Sequence, residues 1–236
     1  VECLTGNQTG VLLIDFLARM DENAAGKKLI TTIVTSDMGK AAAESYGVDV
    51  IKTFTGFKNI GAVMNELKPG QYFMGYEESY GYLPGEHARD KDGVSAALVI
   101  CQMAAYWKSQ GKTLVEALDE LYDKHGYWID RQQSFTFEGS AGVEKMASIM
   151  ETFRSKGEDV FAGAGDVDEF LDYSKGIDGF SPANVLKFMF AGGSWIAIRP
   201  SGTEPKIKFY YCITAPKKQD AEDKFDSLKK CIETLI

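Results

Sequence analysis

Thirteen residues, Arg199-Pro-Ser-Gly-Thr-Glu-Pro-Lys-Ile-Lys-Phe-Tyr-Tyr, carry more hydrogen-bond donors than a turn between two apolar strands requires. Arg199 ends a strand, Pro200 blocks its continuation, and Gly202 permits a backbone geometry that exposes N–H groups. With the hydroxyls of Ser201 and Thr203 and the guanidinium, these make a donor-rich concavity suited to a phosphate. Strand alternation puts Lys206 and Lys208 on one face, so one of them could meet the anion. A solvated surface turn is the other reading of the same residues.

Three further stretches place polar chemistry between a strand and a helix. Gly75-Tyr-Glu-Glu-Ser-Tyr-Gly-Tyr follows a strand directly, where ligands of open α/β sheets gather. Its adjacent carboxylates Glu77 and Glu78 repel each other, and with Ser79 they suit the vicinal hydroxyls of a sugar. Alternatively, Glu78 or Ser79 caps a turn. Gly85-Glu-His-Ala-Arg-Asp-Lys-Asp-Gly holds one of the two histidines, and Lys91 or His87 could move a proton. Thr55-Gly-Phe-Lys58 puts a turn or cap residue and a cation at a helix start. Other motifs fail. Gly56 to Gly61 has P-loop glycine spacing without the Lys-Ser/Thr, Asp166-Val-Asp168 lacks the rest of a calcium loop, and two histidines exclude a His-rich metal site.

The elements that hold these stretches read in two styles. Thr5 caps a helix to about Met20; Leu29–Thr35 and Val48–Phe54 are strands around a helix capped by Ser36 or Asp37. A helix over 59–67, a strand over 72–75 and helices over 93–109 and 113–124 complete an α/β domain with a largely parallel sheet. A linker is predicted near 123–131. Beyond it, a strand over 128–138, a helix over 141–154, Asp- and Gly-rich loops over 163–179, a strand over 194–199 that residues 188–193 lead into, a strand over 206–213 and a charged helix over 217–236 make an α+β module.

The chain has 236 residues, 44% apolar and 25% charged, which suits two domains of about a hundred residues each. A net charge of −8 argues against nucleic acid or an acidic membrane as partner. Cys3, Cys101, Cys212 and Cys231 have no CxxC spacing, and Cys101 and Cys212 read as buried thiols in a reducing compartment. No signal peptide and no membrane span are legible. The chain begins with Val1 rather than Met, which reads as a piece of something longer.

Leu4-Thr-Gly-Asn-Gln-Thr-Gly, Thr55-Gly-Phe-Lys, Gly75-Tyr-Glu-Glu-Ser-Tyr-Gly, Arg89-Asp-Lys-Asp-Gly and Arg199-Pro-Ser-Gly-Thr-Glu-Pro-Lys, in this order, resemble the α-D-phosphohexomutases. The likeness is greatest to the bacterial phosphoglucomutase/phosphomannomutase branch and runs almost the whole length. It implies the last two of four domains: a three-layer α/β sugar-recognition domain with a mostly parallel mixed sheet over 1–126, then a smaller α+β phosphate-binding domain over 127–236 with an antiparallel sheet and helices on one face. It implies that Glu77 and Ser79 grip ring hydroxyls, with Thr55, Gly56, Lys58 and Arg89 beside the sugar. Lys91 and His87 become the proton-transfer candidates. Arg199, Ser201, Gly202, Thr203 and Lys208 hold the phosphate that is not being transferred. The family interconverts hexose 1-phosphate and hexose 6-phosphate through a phosphoserine, a magnesium ion and glucose 1,6-bisphosphate. The phosphoserine motif Thr-Ala-Ser-His-Asn-Pro and the magnesium motif Asp-x-Asp-x-Asp-Arg do not stand in this sequence. The resemblance therefore implies a cytoplasmic isomerase's C-terminal half, inactive alone, whose partners are a hexose phosphate and the missing N-terminal domains. A phosphopentomutase, a sugar-bisphosphate synthase and a non-catalytic sugar-phosphate-binding module are the alternatives.

Overall fold

Thr5 opens the first helix through a reciprocal capping box: its hydroxyl accepts from the Gln8 N–H at 3.2 Å, and Gln8 Oε1 accepts from its own N–H at 2.8 Å. In the computed structural model, which describes residues 1–137, 139–177, 179–202 and 204–236 and of Ser140 the backbone alone, that helix is α1 (Gly6–Met20). Thr203, expected in the phosphate loop, lies outside the described residues. The chain divides into two compact units, Val1–His125 and Gly126–Ile236.

In the first unit α1 is followed by β1 (Lys28–Thr32), α2 (Asp37–Glu44), β2 (Asp49–Thr53), α3 (Phe57–Glu66), β3 (Tyr72–Glu77), β4 (Gly81–Leu83), α4 (Gly93–Ser109) and α5 (Leu114–His125). The sheet runs β2-β1-β3-β4, its first three strands parallel and β4 antiparallel to β3. One face carries α3, whose Phe57, Ile60 and Met64 pack with Ile30, Tyr72 and Leu83. The other carries α1, with α2, α4 and α5 against it. The register of β3 on β1 shifts after Lys28, so Tyr72 and Gly75 face α3 while the Tyr76 ring packs on Gly10 and Gly39 of α1 and α2. Such a shift re-aims side chains, and here it turns Glu77 toward the start of α3. In the helical layer Asp15, fully buried, accepts from Arg19 Nε at 2.8 Å and from the Tyr46 hydroxyl at 2.6 Å. Burial, then that hydrogen bond, pushes the Tyr46 phenol up to about 12.

The second unit contains β5 (Tyr127–Thr136), α6 (Gly139–Lys156), β6 (Val167–Asp172), β7 (Leu186–Phe190), β8 (Trp195–Pro200), β9 (Lys206–Ala215) and α7 (Lys218–Glu233). Its strands form one antiparallel sheet, β5-β9-β8-β7-β6. Ile207, Phe209, Tyr211 and Ile213, alternate residues of β9, enter one core with Phe153 of α6 and Phe225 and Leu228 of α7. Each such side chain contributes roughly 1.5–3 kcal/mol when fully buried.

Several expected elements differ. β1 stops at Thr32 rather than Thr35, because the hydroxyls of Thr32 and Thr35 bond each other at 2.8 Å and close a turn instead of extending the ladder. No linker separates the units: α5 ends at His125, β5 starts at Tyr127, and Gly126, at φ +82°, makes the turn alone. The loops over 163–179 contain β6, an acidic edge strand that the composition concealed. Cys101 is exposed, because α4 buries Ala96, Met103 and Trp107 and turns Cys101 outward; Cys212 is buried as expected.

Candidate functional site

The carboxyl ends of β2 and β3 lead into the loops that hold the first group of candidate residues. Glu77 is the last residue of β3 rather than part of a loop, and only 8% of it is exposed. Its Oε1 accepts from the Gly56 N–H at 2.7 Å. Gly56 caps α3 with φ +108°, a backbone that side-chain-bearing residues rarely adopt, so a glycine is required where the N–H must point at the carboxylate. Asn59 ties the preceding turn by donating to the carbonyls of Phe54 (3.2 Å) and Thr55 (3.0 Å). Thr55 is half-buried and Lys58 exposed.

The expected loop after β3 is a hairpin turn of three residues, Glu78, Ser79 and Tyr80, closed by the Glu77–Gly81 pair. Ser79 is exposed there, and Glu78 Oε2 accepts from the Thr35 hydroxyl at 3.5 Å. Gly81 is the floor between two functional groups: a Cβ built on it would lie 3.2 Å from Lys91 Cδ and 3.5 Å from Glu77 Oε2. The Lys91 ammonium stands 5.9 Å from the centre of the Phe57 ring and 3.1 Å from Asp90. Glu77 and Gly56, drawn from separate stretches, thus bond directly, and Lys91 and Glu77 flank Gly81.

His87 and Arg89 are engaged elsewhere. His87 Nε2 lies 2.8 Å from Asp92 Oδ2, and Asp92 caps α4 by accepting from the N–H groups of Val94 and Ser95. The His87 contact first, then that of Ser95, holds the Asp92 carboxyl well below the usual range. Arg89 donates to Asn65 Oδ1 at 2.6 Å and to the carbonyls of Glu86 and Ala88.

Two helix glycines whose packing role the sequence did not disclose seat these loops. A Cβ on Gly6 of α1 would stand 2.0 Å from the Glu78 carbonyl oxygen, and one on Gly61 of α3 would stand 2.2 Å from that of Arg89. Glycine inside a helix is costly, and that cost was the available signal that backbone passes close by.

In the second unit Arg199 pairs across the sheet with Lys208, on the face opposite Ile198 and Ile207. The Ser201 N–H donates to the Lys206 carbonyl at 2.7 Å, and the Ser201 hydroxyl accepts from the Glu204 N–H at 3.3 Å. Arg199, Pro200, Ser201, Glu204 and Lys208 line an open pocket of about 100 Å³. Lys206 is 3.7 Å from Glu204. Gly202 does not need the positive φ that would make glycine obligatory, and nothing lies within 4 Å of a Cβ built on it. Among the described residues no group of three or more His, Cys, Asp or Glu side chains could hold a metal ion.

Residues 5–125 match the family model described as phosphoglucomutase/phosphomannomutase, alpha/beta/alpha domain III, and residues 138–222 match that of the C-terminal domain of the same family. A phosphoglucomutase of Staphylococcus haemolyticus is 36% identical over 242 residues, covering 98% of this chain and 43% of the relative. One of Staphylococcus aureus strain MRSA252 is 34% identical over 236 residues, covering 94% and 42%. The chain therefore spans less than half the length of the curated relatives it matches. Among solved structures, the open form of Paramecium parafusin, a phosphoglucomutase, superposes with a TM-score of 0.73 at 22% identity over 98% of this chain and 40% of its own. A Thermus thermophilus protein described as a phosphomannomutase gives 0.57 at 19% identity, over 95% and 40%. These two likenesses establish the fold.

Proposed function

The chain belongs to the phosphoglucomutase/phosphomannomutase family, and from that premise we propose that it recognises a hexose phosphate for a mutase reaction, binding sugar on its first unit and phosphate on its second. The observation that carries the reading is the pocket where Arg199 and Lys208 outnumber the one carboxylate, Glu204, beside the Ser201 hydroxyl, a net-cationic, donor-bearing concavity on a chain of net charge −8. Local cations against an unfavourable overall field are what selective binding of a phosphate needs. Arg199 and Lys208 hold the phosphate that stays on the sugar. Glu77, one oxygen fixed by the Gly56 N–H, accepts hydrogen bonds from ring hydroxyls through the other, and Ser79 adds a donor and acceptor. Lys91, which like Glu77 borders Gly81, is the side chain for moving a proton at the reacting hydroxyl; His87, committed to Asp92, positions the loop.

In the whole reaction a phosphoserine gives its phosphoryl group to the hexose phosphate. The bisphosphate so formed turns over and returns its other phosphoryl group to the serine. When bound, magnesium neutralises charge developing on the transferring group. The nucleophile and the magnesium motif are absent from this sequence, so we assign this chain recognition rather than transfer. Its free cysteines fit a cytoplasmic location, where a thiol stays reduced, and among the described residues no helix is long and apolar enough to cross a membrane.

Calorimetric titration with glucose 1,6-bisphosphate, beside a mutase assay on the same sample, tests this reading. Binding without turnover is expected. Absence of binding would overturn recognition by this chain, and turnover would overturn the assignment of the nucleophile to residues outside it.

A further inference from the structure

We propose that Tyr80 is the platform on which the pyranose ring of the bound hexose phosphate stacks, a contact that adds ring-face specificity to the hydroxyl contacts of Glu77 and Ser79. The inference rests on the sugar-binding reading of the hairpin. Tyr80 is the last residue of the three-residue turn between β3 and β4 and stands at φ +64°. Among the described residues it is the one non-glycine with a positive φ. A turn of this length takes a left-handed residue at that place, for which glycine is the ordinary choice; a tyrosine there carries a steric cost.

Local packing does not repay that cost. Tyr80 is 63% exposed, and its hydroxyl reaches only the Leu4 carbonyl, at 3.4 Å, the far limit of a hydrogen bond. By contrast Tyr82, two residues on, is buried and donates to the Gly6 carbonyl at 2.8 Å. A strained backbone bearing an exposed aromatic ring, next to Ser79 and three residues from Glu77, is the pattern of a side chain kept for a ligand. The chemistry agrees with the neighbours. A hexose presents hydroxyls at its edge, which suit a carboxylate and a serine, and C–H groups on its face, which suit a flat apolar ring.

The test uses this chain and three variants, titrated with glucose 1,6-bisphosphate and with pyrophosphate, which has no sugar ring. Tyr80→Gly removes the ring and relieves the backbone. It should leave the melting temperature equal or higher while weakening glucose 1,6-bisphosphate about fivefold, the size of one aromatic contact. Tyr80→Phe should stay within about twofold of the parent, and pyrophosphate binding should not change in either. Unaltered sugar-bisphosphate affinity in Tyr80→Gly overturns the platform. So does a lowered melting temperature with equal loss for both ligands, which marks a merely structural role. Glu77→Gln separates the premise from the inference. If Glu77→Gln weakens the sugar ligand and Tyr80→Gly does not, only Tyr80's role fails. If neither does, or the parent chain does not bind, the sugar-hairpin reading fails with it.

Discussion

In the first unit the candidate carboxylate, Glu77, is buried and already holds one partner, the Gly56 N–H at 2.7 Å, whereas in the second unit Arg199 and Lys208 line an open pocket with no tight seat around Gly202. The difference follows from what each would bind. Telling one ring hydroxyl from another needs an acceptor whose position is set before the ligand arrives, and burial with a fixed backbone donor sets it. Holding a phosphate needs charge and donors, and a solvated loop can supply both. The glycines divide the same way. Gly6 and Gly61, which seat the loops of the first site, are crowded by neighbouring backbone, whereas Gly202 of the second faces empty space.

The largest expected effect comes from filling an occupied glycine. Gly61→Ala sets a methyl 2.2 Å from the Arg89 carbonyl oxygen, which is backbone and cannot rotate away. Overpacking of this kind costs about 3 kcal/mol at its upper range, and urea unfolding of the first unit should register it. A loss below about 0.5 kcal/mol, the scatter of neutral surface changes, would show that the Arg89 loop is not seated on α3.

Next comes Arg199→Ala, which removes a charge-assisted contact and should weaken glucose 1,6-bisphosphate by about 2 kcal/mol, roughly thirtyfold. Because the pocket is open, the parent affinity should also fall as salt rises, and the variant's salt dependence should be shallower. Equal slopes would mean the anion sits elsewhere. Glu77→Gln should cost less, about 1 kcal/mol, and should fall on the sugar alone. An unaltered ratio of glucose 6-phosphate to mannose 6-phosphate affinity would remove Glu77 from the hydroxyl contacts.

Local signals made much of the fold legible. Thr5 followed three residues later by Gln8 marks the start of α1 because a capping box is written in adjacent residues. β6 was hidden because Val-Asp-Glu-Phe-Leu-Asp carries three acids; an edge strand is not obliged to alternate or to be apolar. Cys101 was misjudged because α4 is apolar over more of its surface than its buried face, marked by Ala96, Met103 and Trp107, uses. At the site, residue types pointed to Glu77, Lys91 and Arg199, but no short-range pattern tells that Gly56 bonds Glu77, 21 residues away. That contact depends on two strands ending at the same edge of the sheet and on a register shift that aims the carboxylate.

The smallest effect is expected at Gly202, and it separates the two sites most cleanly. Its backbone does not require glycine and nothing crowds the space a methyl would fill, so Gly202→Ala should leave stability within about 0.5 kcal/mol. If that space is where phosphate approaches the backbone, the same methyl should weaken both pyrophosphate and glucose 1,6-bisphosphate severalfold, because a ligand brought close to N–H groups has no room for it. Thermal melting and calorimetry on one sample decide the matter. Lost affinity at unchanged stability marks a glycine kept for a ligand, the reverse of Gly61. Unchanged affinity would move the phosphate off the backbone and leave Arg199 and Lys208 to hold it through side chains alone.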